Sequence, residues 1–440
     1  MSDAPHLDRV VGVPGVAFAA FNCIVGVGIF SLPGLVAGVL GPAAIVAYLV
    51  CAVLIALVGL CFAEAGSRVK GSGGLYAYAR AAFGPVVGGV VGMLQLFANA
   101  IGSAAALARF FLDTLAGIWP ALGSTGASIA LLVAIYTTLA LVNIAGTRDG
   151  TRLTVALGIL KLAPLLTIIT FGVFAIHPAN LAWPAMPSIG RVGDGALILV
   201  LAFIGVETGL GLSGETRDPA RTVPRAIALA LGVVAALYIA LQLTAQGVLG
   251  AALAGSTAPL ADVAGALFGA KGASLLLLAT CVSVGGYMVA DMLSSPRSAY
   301  ALAEAGQFPR SVAYIHPTRH TPVVAIALYA TAVVLVAATG SFKQIAVLAV
   351  AGTLVMYLIV CVGVLRLRAR GVAEAGAPFV APGGMLVPTA AAAMIVWLLS
   401  TLAWRELAGG GLFIAVTAAI FAAHEWAKRN SVVARKEGLS

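Results

Sequence analysis

The chain has 440 residues, of which 61% are hydrophobic and 9% are charged, and its mean hydropathy is +1.07. This composition fits an integral membrane protein and excludes a water-soluble domain. The formal net charge of +9 is explained better by a basic cytoplasmic face beside anionic lipid than by nucleic acid. The long apolar runs lack the two-residue alternation of membrane β-barrels, so the fold is predicted to be all-α.

Apolar windows of about 20 residues predict twelve transmembrane helices, centred near residues 26, 53, 97, 136, 165, 205, 236, 285, 331, 355, 395 and 416. Basic residues predict their orientation, because cytoplasmic loops carry an excess of Lys and Arg. Nineteen lie in loops on the N-terminal side, and the opposite loops hold only Arg191, Lys271, Lys343 and Arg405. Both termini are therefore predicted to be cytoplasmic in a multi-pass protein of the plasma membrane.

The first predicted span contains four residues that weaken a helix: Gly26, Gly28, Pro33 and Gly34. An interior Gly costs about 1 kcal/mol and Pro about 3 kcal/mol relative to Ala, so a continuous helix is not expected here. Within a membrane, a broken helix is tolerated where it is buried in protein or lines a cavity, and such breaks mark transporter binding sites. The alternative is a kinked span that packs closely through its glycines.

The connection at residues 64–84 is predicted to be a flexible loop that leads into a short amphipathic helix. The third span then opens with Gly84, Gly88 and Gly92, whose four-residue spacing is typical of close helix packing.

Two polar pairs at four-residue spacing follow in the third span, and each shares one face of a helix. Asn99 and Ser103 fit interhelical hydrogen bonding and substrate contact equally well. Arg109 and Asp113 predict a local ion pair toward the extracellular end.

Three ionisable residues are predicted at membrane depth: Lys161 in the fifth span, Glu207 in the sixth and Asp291 in the eighth. An intramembrane charge is a functional-site hypothesis by default. Lys161 is a candidate proton carrier or a fixed structural cation. Glu207 lies in a second interrupted segment, residues 203–209. Asp291 lies four residues after Tyr287, and either a coupling role or a pairing with Lys161 is open.

The histidines and cysteines show no metal-ligand spacing, and no catalytic constellation or phosphate-binding loop is present. Neither an enzyme, a metal site nor a bound cofactor is expected.

Five motifs in chain order resemble the amino acid-polyamine-organocation superfamily of transporters. They are residues 26–33 (GVGIFSLP), 73–78 (GGLYAY), 203–207 (FIGVE), 215–227 (ETRDPARTVPRAI) and the stretch 295–309. The resemblance covers roughly residues 10 to 370. It implies two inverted repeats of five helices, residues 13–176 and 190–370, each beginning with an unwound helix. Two further helices would lie in residues 384–427, with residues 1–12 and 428–440 as cytoplasmic termini.

The resemblance also implies a substrate site at the two breaks. Backbone N–H groups of the first break would bind the substrate carboxylate, as helix N-termini bind anions, and carbonyls near both breaks would bind its amino group. The implied residues are Gly26, Val27 and Gly28 for the carboxylate, Ile24, Leu201 and Ile204 for the amino group, and Asn99, Ser103, Glu207 and Tyr287 for the side chain. Leu201 stands where the family's arginine/agmatine antiporter has a tryptophan, which argues against handling of arginine.

Lys161 is implied as the coupling residue, with Asp291 as a second participant. Relatives that work without sodium carry a lysine at this point of span five, where its ammonium occupies the place of a sodium ion. The predicted function is secondary transport of amino acids, with neutral substrates favoured, coupled to protons. An exchanger or exporter of the same fold is the nearest alternative, and a membrane enzyme or a channel is less favoured. The exact substrate, the direction of transport and the oligomeric state are not predicted.

Overall fold

The computed structural model describes residues 12–26, 28–69, 74–145, 160–207, 219–374 and 377–437. These residues form helices and loops without a β-strand, which confirms the predicted all-α class. The α-helices of the described residues are α1 (Val13–Ile24), α2 (Leu32–Leu40), α3 (Ala44–Arg68), α4 (Gly74–Phe83), α5 (Pro85–Leu94), α6 (Ser103–Ile118), α7 (Thr125–Ala145), α8 (Leu162–Gly172), α9 (Ile189–Phe203), α10 (Pro219–Leu249), α11 (Pro259–Ser294), α12 (Pro296–Glu304), α13 (Val323–Thr339), α14 (Phe342–Ala369), α15 (Leu386–Leu399) and α16 (Trp404–Glu437).

Many of these helices are long and apolar enough to cross a membrane. Within the described residues, seven stretches meet that criterion: Leu32–Arg68, Pro85–Ile118, Thr125–Ala145, Arg221–Gly255, Pro259–Glu304, Phe342–Ala369 and Trp404–Trp426. Four shorter apolar helices accompany them, at Val13–Asn22, Leu162–Ala175, Val323–Thr339 and Leu386–Leu399. The chain is therefore a multi-pass membrane protein. The number of twelve crossings stays a prediction.

Local sequence signals explain where several helices begin. Pro33, Pro85, Pro259 and Pro296 each occupy one of the first two positions of a helix. Proline is favoured there because its fixed φ suits the helix and its missing N–H would have no intrahelical partner.

A capping box starts helix α14. The Ser341 hydroxyl accepts the Gln344 N–H, and the Gln344 side chain accepts the Ser341 N–H at 3.1 Å. Two backbone donors at the helix start are thereby satisfied.

Helix α10 packs against α1 and α3, and it approaches α3 closely at Gly59. A Cβ atom at Gly59 would lie 3.0 Å from a methyl of Ile227 and 3.2 Å from a methyl of Leu231. In the interior of a membrane protein such small residues allow helices to approach closely.

The predicted close packing of the third span is confirmed at two of its three glycines. A Cβ atom at Gly88 would lie 2.7 Å from the Cβ of Arg80, and one at Gly92 would lie 2.5 Å from Leu302 Cδ2. Arg80 belongs to α4, which confirms the short helix predicted in the connection before this span. The predicted ion pair of Arg109 and Asp113 is also present, at 2.9 Å.

Candidate functional site

The first predicted break is present between α1 and α2. Helix α1 ends at Ile24, and a 3₁₀ turn at Gly28–Phe30 precedes the start of α2 at Leu32. The Ser31 hydroxyl donates a hydrogen bond to the Gly28 carbonyl at 3.2 Å. Gly26 lies in the irregular backbone after α1, and Val27 lies outside the described residues. The glycines thus act as the sequence predicted, by ending one helix and allowing a second to begin.

The second break follows helix α9, which ends at Phe203. Ile204 leaves the helical conformation with ψ 137°, and Gly205 has φ +110°, a conformation that residues with a Cβ rarely adopt. The turn continues to Glu207, and the residues that follow it, 208–218, lie outside the described ranges.

Tyr238, in the middle of α10, connects the two breaks. Its hydroxyl lies 3.1 Å from the Ile24 carbonyl oxygen and 3.0 Å from the Ala202 carbonyl oxygen. One hydroxyl proton serves one acceptor at a time, so Tyr238 can alternate between α1 and α9. Its ring packs edge-on against Phe203, with centroids 5.2 Å apart. A tyrosine at mid-span was the signal in the sequence, and the prediction missed it.

The Glu207 carboxylate lies at the centre of a buried hydrogen-bond network. One oxygen accepts the Asn99 amide at 3.0 Å, and the other accepts the Tyr357 hydroxyl at 2.7 Å and the Gly205 N–H at 3.2 Å. Only 8% of Glu207 is exposed. Hydrogen bonds to a charged acceptor are the stronger kind, so this network holds the second break against α14 and the third span.

Asn99 belongs to a π-helical segment, Gln95–Gly102, which joins α5 and α6. Such segments within α-helices are rare and are frequent at functional sites. The carbonyl oxygen of the next residue, Ala100, lies 3.3 Å from the Tyr329 hydroxyl. The same tyrosine donates to Asp291 at 2.6 Å. One turn of the third span therefore touches the networks of both buried carboxylates.

The remaining predicted pocket residues lie near these networks with different exposure. Leu201 is buried in the last turn of α9, and Ile204 and Tyr287 are half-buried. The Ser103 hydroxyl is buried and has no hydrogen-bond partner among the described residues. Ser103 begins α6 at the end of the π-helical segment.

Lys161 binds the end of the broken first helix. Its ammonium donates to the Asn22 carbonyl oxygen at 2.8 Å, and Asn22 lies in the last turn of α1. Asp291 lies in α11, where its carboxylate oxygens accept the hydroxyls of Ser295 and Tyr329, both at 2.6 Å. The two charges that the sequence left as a possible pair thus have separate described partners.

A third buried carboxylate, Glu64, was not predicted as part of any site. It is fully buried at the end of α3 and accepts hydrogen bonds from Arg68 at 2.9 Å, from Arg368 at 2.7 Å and from the Ala381 N–H at 2.8 Å. Arg68 and Arg368 are among the nineteen basic residues whose positions predicted the orientation. This cluster connects α3, α14 and the segment before α15.

Helices interrupted in mid-course, whose breaks meet inside a bundle of apolar spans, are the architecture of membrane transporters. A sequence profile described as amino acid permease matches residues 11–423. The chain belongs to this family, which is part of the amino acid-polyamine-organocation superfamily, and it is a transporter rather than an enzyme.

Curated relatives from Bacillus subtilis align over most of the chain. The chain is 27% identical to the serine/threonine exchanger SteT, over 83% of this chain and 85% of that protein. It is 25% identical to a methylthioribose transporter, over 91% and 90%. It is 26% identical to the branched-chain amino acid permease BcaP, over 92% and 90%.

Proposed function

We propose that this protein is a secondary transporter that carries neutral amino acids across the bacterial inner membrane by alternating access, in symport with protons. The observation that carries the proposal is the hydrogen bond of Lys161 to the Asn22 carbonyl. The last carbonyls of a helix lack intrahelical partners and carry partial negative charge. An ammonium is stabilised at that place, and a neutral amine is stabilised less.

This difference in stabilisation between the ammonium and the neutral amine of Lys161 couples protonation to the position of α1. A proton on Lys161 favours the arrangement in which α1 ends against α8, and loss of the proton weakens that preference. A ligand shifts a conformational equilibrium only by its differential affinity for the two states, and here the proton is the ligand. Asp291 is proposed as a second coupling residue, because its carboxylate is buried between α11 and α13.

Three observations support neutral substrates. Both oxygens of Glu207 already accept hydrogen bonds from protein donors, so this acid is not free for a second cationic group. Leu201 and Ile204 contribute apolar side chains beside the second break. Two of the relatives are named for serine and threonine and for branched-chain amino acids.

The proposed substrate site is formed by the two breaks and the helices that connect them. Backbone N–H groups at Gly26 to Gly28 bind the substrate carboxylate, since they precede the N-terminus of α2. The Gly26 N–H donates to the Ile24 carbonyl at 2.6 Å, and bound substrate replaces this hydrogen bond at both groups. The carbonyls of Ile24, Leu201 and Ile204 accept the amino group. Asn99, Ser103, Glu207 and Tyr287 complete the side-chain pocket.

The proposed architecture is a pair of inverted repeats, residues 13–176 and 190–370, with both termini in the cytoplasm. The loop at residues 176–188 then faces the extracellular side. The distribution of Lys and Arg along the sequence supports this orientation.

The test is uptake of labelled alanine or leucine into proteoliposomes, with and without an inward proton gradient. Wild type is expected to show gradient-stimulated uptake, and Lys161→Gln is expected to lose the stimulation while it still binds substrate. Arg109→Gln is the matched control, because it removes a cation of another membrane span whose partner is Asp113. Equal stimulation in wild type and Lys161→Gln would assign Lys161 to a structural role.

An exchanger is the second candidate, since one relative is named as a serine/threonine exchanger. Counterflow separates the two functions. An exchanger accelerates labelled uptake only when unlabelled substrate is inside the vesicles, and a proton gradient adds nothing. A symporter responds to both.

A further inference from the structure

One face of α10 carries a row of buried polar side chains: Tyr238, Gln242 and Gln246. Residues at four-residue spacing lie above one another on a helix. Tyr238 is 0% exposed, Gln242 is 1% exposed and Gln246 is 3% exposed. The stretch Arg221–Gly255, which includes most of α10, is otherwise apolar enough to span a membrane, so a row of amides at this depth needs a physical reason.

The two ends of the row have hydrogen-bond partners. Tyr238 reaches the carbonyls of Ile24 and Ala202, at the two breaks. At the other end the Gln246 amide donates to the carbonyls of Asn180 and Gly250, both at 3.2 Å. Gln246 also lines a cavity of about 520 Å³ beside the loop that the proposed orientation places outside the cell.

Gln242, in the middle of the row, has no hydrogen-bond partner among the described residues for either the nitrogen or the oxygen of its side-chain amide. The same holds for the Gln246 side-chain oxygen and for the hydroxyl of Tyr48, which is 1% exposed on the neighbouring helix α3.

Two contacts bring Tyr48 to the depth of this row. Gly59 of α3 faces Ile227 and Leu231 of α10, and Tyr48 lies within electrostatic range of Tyr238. Residue numbers therefore fall along α3 as they rise along α10, so that Tyr48 is level with Tyr238 and Gln242. We call Tyr48, Tyr238, Gln242 and Gln246 the polar track.

Buried polar atoms in native proteins nearly always have a partner, from protein or from ordered water. A buried water needs two to four polar neighbours, and the polar track offers adjacent donors and acceptors of the right kind. Apolar ligands would leave these atoms unsatisfied, and no charged group of the track would hold an ion.

The inner end of the polar track meets the proposed coupling residue. Tyr238 reaches the Ile24 carbonyl, and Lys161 binds the Asn22 carbonyl two residues earlier in α1. The Asn22 side-chain oxygen is also buried and without a partner among the described residues. Tyr48 interacts electrostatically with Tyr238 and Cys51, and Tyr238 interacts with Cys51.

We propose that water molecules fill the polar track and form a path from the cavity at Gln246 to the end of α1, by which protons reach Lys161 along α10. The water-binding part stands on the unpartnered atoms alone. The proton-conducting part rests on the proposed proton coupling.

Hydroxyl-radical footprinting with mass spectrometry tests the water. Radicals formed from bound water oxidise buried side chains next to it, so Tyr48 and Tyr238 are expected to be labelled several-fold more than Tyr329. Tyr329 is the internal control because it is 0% exposed and its hydroxyl donates to Asp291. Labelling of Tyr48 and Tyr238 no higher than that of Tyr329 overturns the proposal.

Gln242→Leu replaces the central amide with an apolar side chain of similar size. The labelling of Tyr48 and Tyr238 is expected to fall several-fold in this variant. Thr353→Val is the matched control, since Thr353 is 0% exposed and its described hydrogen bond, to the Ala349 carbonyl at 2.9 Å, lies within its own helix. Gln242→Met is the second variant if the leucine protein does not elute as a single species on gel filtration.

Transport by the same variants tests the proton path. Gln242→Leu is expected to lose most of the gradient-stimulated uptake and to retain counterflow, because the amide lies outside the substrate site. Full gradient stimulation in this variant overturns the proton path. The presence of water in the polar track is then decided by the labelling experiment. Absence of stimulation in wild type overturns the proton coupling itself, which the labelling result does not depend on.

Discussion

Tyr357 donates a hydrogen bond to the Glu207 carboxylate at 2.7 Å, across 150 positions of the chain. Tyr357 is fully buried in α14, and its ring packs edge-on against Phe62 of α3, with centroids 5.0 Å apart. Two helices outside the break thereby hold Glu207, in the turn after α9. A motion of the second break must change this contact.

Tyr357→Phe tests how much the contact holds. The variant keeps the ring and its packing but removes one donor from a buried carboxylate, a loss of about 1–3 kcal/mol. We expect a lower thermal unfolding temperature and weaker substrate binding. Thr353→Val, one turn away in the same helix, is the control. Wild-type binding in Tyr357→Phe would show that the hydrogen bond does not support the site.

Gly28 is expected to tolerate a side chain worse than Gly26. A Cβ atom at Gly28 would lie 3.4 Å from the Ala202 Cα and 3.3 Å from Leu32 Cδ1, whereas one at Gly26 would meet only the Ile24 oxygen, at 3.7 Å. The larger side chain of Gly28→Val pushes α9 from the first break, and such overpacking costs about 1–3 kcal/mol.

We therefore expect Gly28→Val to abolish ligand-induced thermal stabilisation while the protein still folds in detergent. Gly26→Ala is the matched variant and is expected to keep part of the binding. If both variants bind as wild type does, the first break is not the carboxylate site.

Glu64→Gln is expected to be strongly destabilising. It removes the only charge that compensates Arg68 and Arg368 among their described contacts, and breaking a buried ion pair from one side costs about 3–5 kcal/mol. Asp113→Asn is the control, because the Asp113 side chain is 46% exposed and exposed pairs contribute about 0–1 kcal/mol. Similar thermal unfolding temperatures for the two variants would contradict a structural role of the Glu64 cluster.

The breaks were predictable from sequence because their causes are local. Glycine and proline weaken a helix wherever they stand, and both predicted interruptions coincide with the ends of α1 and α9. The Arg109–Asp113 pair was predictable for the same reason, since both residues lie on one helix.

The partners of the buried carboxylates were not predictable. Asn99 and Glu207 are 108 positions apart, and their contact depends on how two helices pack. Asn99 also lies in a π-helical segment, and no residue type in the sequence predicts such a segment. Glu64 was predicted to begin the connection at residues 64–84, but it lies in the last turns of α3 and accepts a hydrogen bond from Arg368 of a distant helix.

Competition between substrates tests the proposed class. Unlabelled alanine, leucine and serine are expected to displace labelled alanine in proteoliposomes, and arginine and agmatine are expected not to. The reason is that the Glu207 oxygens are occupied by protein donors. Displacement by arginine or agmatine alone would show that Glu207 binds a cationic group of the substrate and would overturn the assignment of neutral substrates.

Mutation can separate a coupling role of Asp291 from a structural one. Its oxygens accept Ser295 and Tyr329, and Tyr329 also reaches the π-helical segment at Ala100. Asp291→Asn removes the charge of the carboxylate but leaves an amide that still forms hydrogen bonds with hydroxyls. If Asp291 takes part in coupling, this variant loses gradient-stimulated uptake, retains counterflow and unfolds close to the wild-type temperature.

Tyr329→Phe distinguishes coupling from packing at the same place. It leaves the Asp291 charge intact and removes one of its donors, which costs about 1–3 kcal/mol of stability, so the unfolding temperature falls while gradient stimulation persists. If Asp291→Asn instead keeps full gradient stimulation, Lys161 remains the coupling residue. Asp291 is then a structural contact between α11 and α13.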